Sequence, residues 1–330
     1  MATIKDIAAK LGISVSAVSK GLNGAEDISE DLRQQVLDTA IEMGYTPKRI
    51  RKESLRKLCV LIKNMDYTNP EEFAYDIVLG FRQNAFKQKW DVDAITVTEQ
   101  MQLTEKYDNF MLRNGYLGAL FLGFSLHDEW ISQLQTTTTP SVLFDNTIRN
   151  NPNVCYIGSD SFEGIQLAID HLYELGHRKI AFLNGEQDSM VASQRQDAYY
   201  RSLEGLKLPL LEELTAYGNY SPDTAKLYVP GFLDAGATAI LCGNDIIASG
   251  VIDECNRLGY RVPDDISVIG FDDLPISTHT NPPLTTIRQE RSELGRFAYD
   301  SLNGLIHHIR ISRILLRPEL IERKSSGPRK

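Results

Sequence analysis

The sequence predicts a small all-α headpiece joined to a larger α/β body in which parallel sheets are wrapped by helices. Two observations predict this. Three short segments with apolar residues at helical spacing, each bounded by capping and stop residues, fill the stretch up to Gly44. From Leu58 onward, strand-sized apolar runs alternate with helical segments, the pattern of strands joined by helical crossovers.

The first helix is predicted from Ile4 to Lys10. Thr3 followed by Asp6 reads as a capping box, Ile4, Ile7, Ala8 and Leu11 stand at helical spacing, and Gly12 is placed for a left-handed cap. Ser14 caps a second helix from Val15 to Leu22, which Asn23-Gly24 stops. At about 100° per residue, Ala17, Val18, Gly21 and Leu22 fall on one side of it. Val15, Ser16, Ser19, Lys20 and Asn23 fall on the other. The first face is small and apolar and suits close packing; the second is polar and basic and suits a wet groove. Two short helices joined by a Gly-containing turn make a helix-turn-helix. Ser29 caps a third helix with Leu32, Val36, Ala40 and Met43 as its stripe, and Gly44 closes it.

In the body, candidate strands are Leu58–Ile62, Val92–Val97, Ala119–Leu122, Ser141–Phe144, Lys179–Leu183, Thr238–Cys242 and Ser267–Gly270. Helical segments between them include Phe73–Lys89, Ser161–Glu174, Asp245–Leu258 and Glu293–Ile309. Thr136–Thr139 reads as a loop. Ligands bind beyond the carboxyl ends of strands in such sheets, and acidic residues recur there: Asp145, Asp160, Asp245 and the Asp272-Asp273 pair, with Asn244 beside Asp245. A ring of carboxylates and amides suits a polyhydroxylated ligand, because a carboxylate accepts several hydroxyl hydrogen bonds. Asp160 and Asp245 fit helix N-caps at least as well.

Composition narrows the classes. A chain of 330 residues exceeds one small domain and is long enough for more than one core. With 42% hydrophobic and 24% charged residues it is neither globally disordered nor a coiled-coil array. No apolar run approaches the roughly 18 residues of a membrane span. The first residues carry Asp6 and no apolar core, so no secretory signal is expected. Cys59, Cys155, Cys242 and Cys255 have no metal-site spacing. They are expected to be buried free thiols in a reducing cytoplasm. His171 and His177 stand six residues apart, which suits no single helical face, so a helix-end role is expected in place of a metal pair.

The net charge of −9 is uneven. Residues 1–57 hold ten Lys/Arg and eight Asp/Glu, and Tyr45 to Lys57 alone hold six basic residues against Glu53. A basic patch on an acidic body points to a localised anionic partner such as nucleic acid, although a solvated linker would carry the same charge.

The headpiece residues resemble those of the lactose/galactose repressor (LacI/GalR) family. The resemblance rests on Thr-Ile-x-Asp-Ile-Ala from Thr3, Gly-Ile-Ser from Gly12, Val-Ser-Lys-x-Leu-Asn from Val18 and Gly-Tyr-x-Pro from Gly44, in the family's order and spacing. It continues through the body to about Arg323. There it rests on His171-Leu-x-x-Leu-Gly-His-Arg-Lys-Ile-Ala-Phe-Leu, on Arg-Val-Pro-Asp-Asp-Ile-Ser-Val-Ile-Gly-Phe-Asp-Asp from Arg261, and on Pro-Pro-Leu-Thr-Thr-Ile-Arg-Gln from Pro282. The resemblance implies an α/β core of two Rossmann-like subdomains, similar to periplasmic sugar-binding proteins, with three crossovers and a ligand in the cleft.

It also implies roles. Val15 and Ser16 stand at the base-reading positions; both are small and suit a thymine methyl or a single hydroxyl bond. Lys20 stands where the family usually has Arg, and lacks the planar fork. Thr3, Ser14, Ser19, Asn23 and Ser29 serve as phosphate or cap positions, with Lys48 and Arg49 among the DNA-binding residues beyond them. The family's hinge usually reads Ala-Arg-x-Leu, its Leu wedging into the minor groove. Here Ser54 takes the usual Leu position, Leu55 follows, and the link to the first strand is about three residues short; Leu55 either replaces the wedge or simply packs. In the body the resemblance implies that Phe73 and Tyr220 stack on the effector, Arg195 donates a charged fork, and Asp145, Asn244 and Asp272 bind hydroxyls. Glu71-Glu72 looks like an insertion beside Phe73, and residues 207–235 align loosely.

No G-x-G-x-x-G, Walker loop, G-x-S-x-G elbow or H-E-x-x-H is present. An enzyme is not expected, nor a cofactor or metal site. The expected organisation is a headpiece (1–46), a hinge (47–57), an N-terminal effector subdomain (58–157 plus 286–314) and a C-terminal one (158–285 plus 315–330). The crossovers are expected near 157–159, 285–288 and 314–317. The expected function is that of a cytoplasmic transcriptional repressor. It is expected to act as a homodimer on double-stranded DNA with a pseudo-palindromic operator, under a small effector, most simply a sugar. A phosphoprotein corepressor is the alternative control. With no heptad tail, a tail-mediated tetramer is not expected. The competing class is a cytoplasmic sugar-binding or sugar-modifying protein without operator specificity.

Overall fold

The computed structural model describes residues 2–23, 25, 27–45 and 56–329. The headpiece consists of α1 (Ile4–Leu11), α2 (Val15–Asn23) and α3 (Glu30–Glu42). Local chemistry sets their ends. Thr3 N–H donates to Asp6 Oδ2 at 2.7 Å while Asp6 N–H donates to Thr3 Oγ1 at 3.3 Å, the expected capping box. Gly12 takes φ 66° after α1. Ser14 Oγ accepts from Ala17 N–H at 3.0 Å, and Ser29 Oγ from Leu32 N–H at 3.3 Å. Ile7, Ala8, Val18, Val36, Ala40 and Tyr45 form the buried headpiece core. Gly21 lets α2 lie close on α3, since a Cβ there would stand 3.0 Å from Val36.

The body contains two six-stranded sheets. The first comprises β1 (Arg56–Ile62), β2 (Trp90–Thr96), β3 (Tyr116–Leu122), β4 (Ser141–Phe144), β5 (Val154–Ser159) and β11 (Arg313–Leu316), in the order β11-β5-β4-β3-β1-β2. Four helices alternate with its strands: α4 (Phe73–Lys87), α5 (Glu99–Thr104), α6 (Tyr107–Asn114) and α7 (Glu129–Gln133). The second comprises β6 (Ile180–Asn184), β7 (Thr215–Tyr217), β8 (Ala239–Cys242), β9 (Ser267–Asp272), β10 (Thr285–Arg288) and β12 (Glu319–Ile321), in the order β12-β10-β9-β8-β6-β7. Its helices are α8 (Ser161–Glu174), α9 (Met190–Gly205), α10 (Thr224–Asp234), α11 (Asp245–Arg257) and α12 (Ile276–His279); α13 (Arg291–Ile306) follows β10, and from Gly295 on it groups with the first sheet. The pairs from β1 to β5 and from β6 to β10 are parallel, whereas β12 runs antiparallel to β10.

Each sheet starts one strand in from an edge and reverses direction once, between β1 and β3 in the first and between β6 and β8 in the second. That reversal opens a crevice at the carboxyl ends of the strands. The second sheet is buried on both faces, so its strands read as continuous apolar runs. Ala181, Leu183, Ile240, Cys242 and Val268 face the α10–α11 layer, and Ile180, Phe182, Ala239, Leu241 and Phe271 the α8–α9 layer. All four cysteines are buried free thiols. Among the described residues no helix is long and apolar enough to cross a membrane.

The chain groups into two compact units, Met1–Met65 with Val78–Ile157 and Gly295–Ile314, and Asp66–Ile77 with Gly158–Leu294 and Leu315–Lys330. Three places depart from the expected division. The passage expected at 285–288 is itself β10, whose Thr286 and Ile287 pair with Gly270 and Phe271, so residues 286–294 stay with the second unit. Residues 66–77 group with the second unit as well. Arg56 and Lys57, expected in the hinge, open β1 opposite Trp90 and Asp91.

Candidate DNA-reading surface and effector site

In α2, Val18 and Gly21 are buried, while Val15, Ser16, Lys20 and Asn23 are exposed and Ser19 is half-buried. The structure thus keeps the two faces that the helical angle separates. Val15 is 46% exposed, an apolar side chain held in water at the start of the helix. Asn23 Nδ2 donates to Ser19 O at 2.7 Å and fastens the end of α2. Lys20 Nζ is paired with Asp27. Both partners are largely solvated, so the pair is weak and open to exchange for another anion. Thr3, Ser14 and Ser29 are exposed caps. Lys48, Arg49 and Leu55 lie outside the described residues, as does the shortened link.

The body residues divide between the units. Asp145, in the first, follows β4 with φ 50°, and its N–H donates to Ile157 O at 3.1 Å. The other five lie in the second unit. Phe73 is the first residue of α4. Arg195 of α9 is 3% exposed; its guanidinium lies 3.7 Å from the centre of the Phe271 ring. Its Nη1 donates to Gly243 O at 2.5 Å, and its Nη2 stands 3.9 Å from Asp272 Oδ1. Its Nε is buried without a hydrogen-bond partner. Tyr220 has φ 55° and lies against Gly185, where a Cβ would stand 2.3 Å from its ring. Gly185 and Gly243 follow β6 and β8, the two strands that flank the reversal, so this cluster occupies the crevice of the second sheet.

Asp272 is buried at the end of β9 with φ 109°, and accepts from Gln289 Nε2 at 2.6 Å. Burial pushes its carboxyl up to about 6, against the lowering effects of Arg195, Gln289 and Arg291. Asp273 takes the opposite course. Burial alone would raise it, but Arg288 and Arg323, each at 2.7 Å, hold it below the usual carboxylate range.

Two acidic residues separate here. Asp160 is a cap, its Oδ1 accepting from Phe162 and Glu163 N–H at 3.0 and 3.1 Å. Asp245 is not the cap of α11; Asn244 is, accepting from Ile247 N–H at 2.8 Å. Asp245 is fully buried and accepts from Leu274 N–H at 2.6 Å and Thr286 Oγ1–H at 2.5 Å. His177 joins Thr238 and Ser267 through its two ring nitrogens, each at 3.0 Å, and His171 meets Ser326 at 3.0 Å. Both therefore hold chain segments together. Gln289, Arg291 and Asp76 join the site without having been singled out above. Gln289 lies inside the Thr-Thr-Ile-Arg-Gln motif, but no spacing marks the other two.

A helix-turn-helix headpiece on two doubly wound units with a buried cation–carboxylate cluster defines a DNA-binding regulator with a ligand-receiving body. The profile of "Bacterial regulatory proteins, lacI family" matches residues 3–48, and that of "Periplasmic binding protein-like domain" matches residues 169–326. The HTH-type transcriptional repressor PurR of Haemophilus influenzae is 29% identical over 333 residues, covering 98% of each chain. The lac repressor bound to ONPG in its repressed state shares 25% identity with a TM-score of 0.72, covering 98% of this chain and 99% of that one. The complex of the transcriptional regulator CelR with cellobiose shares the fold with a TM-score of 0.73 at 24% identity, covering 98% of this chain and all of that one. The chain thus carries a helix-turn-helix domain of the lacI type and a periplasmic-binding-protein-like domain. It is a DNA-binding transcriptional repressor controlled by a small effector, and not an enzyme.

Proposed function

We propose that the repressor binds a pseudo-palindromic operator as a homodimer and that its effector is a sugar or sugar derivative. The exposed polar face of α2 supports the first part. One short helix reads a half-site, and two-fold symmetry supplies the second. Leu79 and Phe86, 40% and 79% exposed and two turns apart on α4, give a second copy an apolar stripe to cover. The observation that carries the effector reading is the Arg195–Phe271–Asp272 cluster with its orphan buried Nε. A hydroxyl oxygen satisfies that donor, and the hydroxyl hydrogen satisfies the Asp272 carboxylate. Phe73, Tyr220 and Asn244 complete the proposed set in the second unit; Asp145, in the first, is a proposed hydroxyl acceptor on the resemblance alone. Control by a phosphoprotein corepressor is the other outcome the test below admits.

The test is selection of bound sites from a random duplex pool at about 0.15 M salt, where phosphate-only binding is weakened. It is repeated with D-glucose, cellobiose, D-glucose 6-phosphate and hypoxanthine. A palindromic consensus whose retention changes with one of the sugars is expected. No consensus under any condition overturns the operator reading. A consensus indifferent to the sugars but changed by hypoxanthine overturns the sugar reading, and one indifferent to every compound points to a protein corepressor.

Lys20→Ala is expected to weaken operator binding by about 1–3 kcal/mol, roughly 5- to 150-fold, with folding intact. Asp27→Ala, which frees Lys20, is expected not to weaken it. Fluorescence anisotropy across a salt series separates the two modes of contact. A base contact relaxes specificity at one position, whereas a phosphate contact lowers the salt slope by about one. Unchanged binding in Lys20→Ala removes this residue from the interface.

A further inference from the structure

Arg291, at the start of α13, joins two parts of the second unit that are far apart in sequence. Its Nε and Nη2 donate to Asp76 Oδ2 at 3.2 and 2.9 Å. Its Nη1 donates to the carbonyls of Asp272 and Asp273 at 3.0 and 3.2 Å. Those two residues have φ of 109° and 53°, a region that L side chains rarely adopt and that persists only when the surroundings enforce it. The Arg291 side chain is only 10% exposed, so water does not readily replace these contacts. Asp76 lies three residues after Phe73 on α4, on the same side of the helix.

We infer that Arg291 is a positioning residue of the effector site. Its guanidinium ties the first turn of α4, which carries Phe73, to the left-handed Asp272–Asp273 turn, and so sets the spacing between the stacking ring and the effector carboxylate. The role needs the planar fork, because one cation must serve a carboxylate and two carbonyls at fixed angles; an ammonium on a flexible stem cannot hold all three. The inference rests on the effector reading for its functional weight, and its physical content is testable without any ligand.

The experiment is hydrogen exchange of the full chain, read by mass spectrometry over a peptide spanning residues 270–276, with one spanning 239–242 of β8 as the reference. Arg291→Gln is expected to speed exchange in 270–276 by roughly tenfold, the factor for a lost hydrogen bond, while leaving the reference unchanged. Asp76→Asn moves it in the same direction by less, and Arg291→Lys falls between wild type and Arg291→Gln. A second readout is the pH profile of stability. The raised Asp272 carboxyl binds a proton in the fold that the unfolded chain has already released. Its stabilisation is therefore complete below about pH 4 and lost as pH rises through about 6. Arg291 lowers that midpoint, so in Arg291→Gln the loss extends to higher pH. Unchanged exchange in 270–276, or equal acceleration in both peptides, overturns the inference. Failure of the effector reading looks different: the variants behave as expected, yet neither D-glucose, cellobiose nor D-glucose 6-phosphate protects 270–276 in the wild type.

Discussion

Arg195→Ala is expected to lose the effector response while keeping operator binding. The side chain donates to Gly243, stacks on Phe271 and stands beside Asp272, all in the second unit, whereas the headpiece groups with the first. Removing it deletes charge-assisted hydrogen bonds worth about 1.5–3 kcal/mol each to a bound ligand. The sugar that shifts operator binding in the wild type should then bind at least a hundredfold more weakly, judged by its concentration for half release of the operator. A pH signature accompanies the loss. The ionised Asp272 accepts hydroxyls, so wild-type effector affinity should fall as pH drops through about 6. Arg195 is the first of the groups that oppose the rise of that carboxyl, so its removal moves the midpoint upward. Arg195→Lys keeps the charge and should retain part of the response. A variant that still responds at wild-type ligand concentration would remove Arg195 from the site.

The parts of the fold legible in the sequence are those whose cause is local. Thr3, Ser14 and Ser29 cap their helices through bonds to residues three positions on, and Gly12 needs only its own φ. β4 and α8 span the predicted residues because apolar runs and caps bound them on both sides. What escapes the sequence is set by distant partners. Thr285–Arg288 reads as a crossing between subdomains, yet it pairs with β9 on one side and β12 on the other and is a strand of the second sheet. Asp160 and Asp245 both follow apolar strands and precede helices, so the local pattern cannot separate them. Burial and the Leu274 and Thr286 donors make Asp245 an internal acceptor, while Asp160 caps its helix. The Arg291–Asp76 bridge spans 215 positions, a separation that no motif spacing encodes.

The same buried acid gives the largest stability effect expected in the second unit. The Asp245 carboxyl oxygens accept from the N–H of Leu274 and the hydroxyl of Thr286. It also fills the space beside Gly270, where a Cβ would stand 2.2 Å from Oδ1. Asp245→Ala leaves both donors without their acceptor, at about 1–3 kcal/mol each, and opens a cavity between β9, β10 and α11. A total of about 2–5 kcal/mol is expected, seen as a fall in melting temperature of roughly 5–15 °C for a unit of this size. Asp245→Asn keeps the volume and one acceptor oxygen, so it should cost less. The pH dependence identifies the cause. Burial first, and then the neighbouring Asp272, push this carboxyl well above the usual carboxylate range. The fold therefore holds a proton that the unfolded chain releases near pH 4. That stabilisation is present at low pH and fades as pH rises through the folded value, so the gap between wild type and Asp245→Ala should be wider at pH 5 than at pH 8. A gap that widens toward alkaline pH would mean that the ionised carboxylate is the stabilising form. The Leu274 bond would then act as a fixed anion site, and the turn bearing Asp272 would be held by charge instead of by a neutral hydrogen-bonded acid.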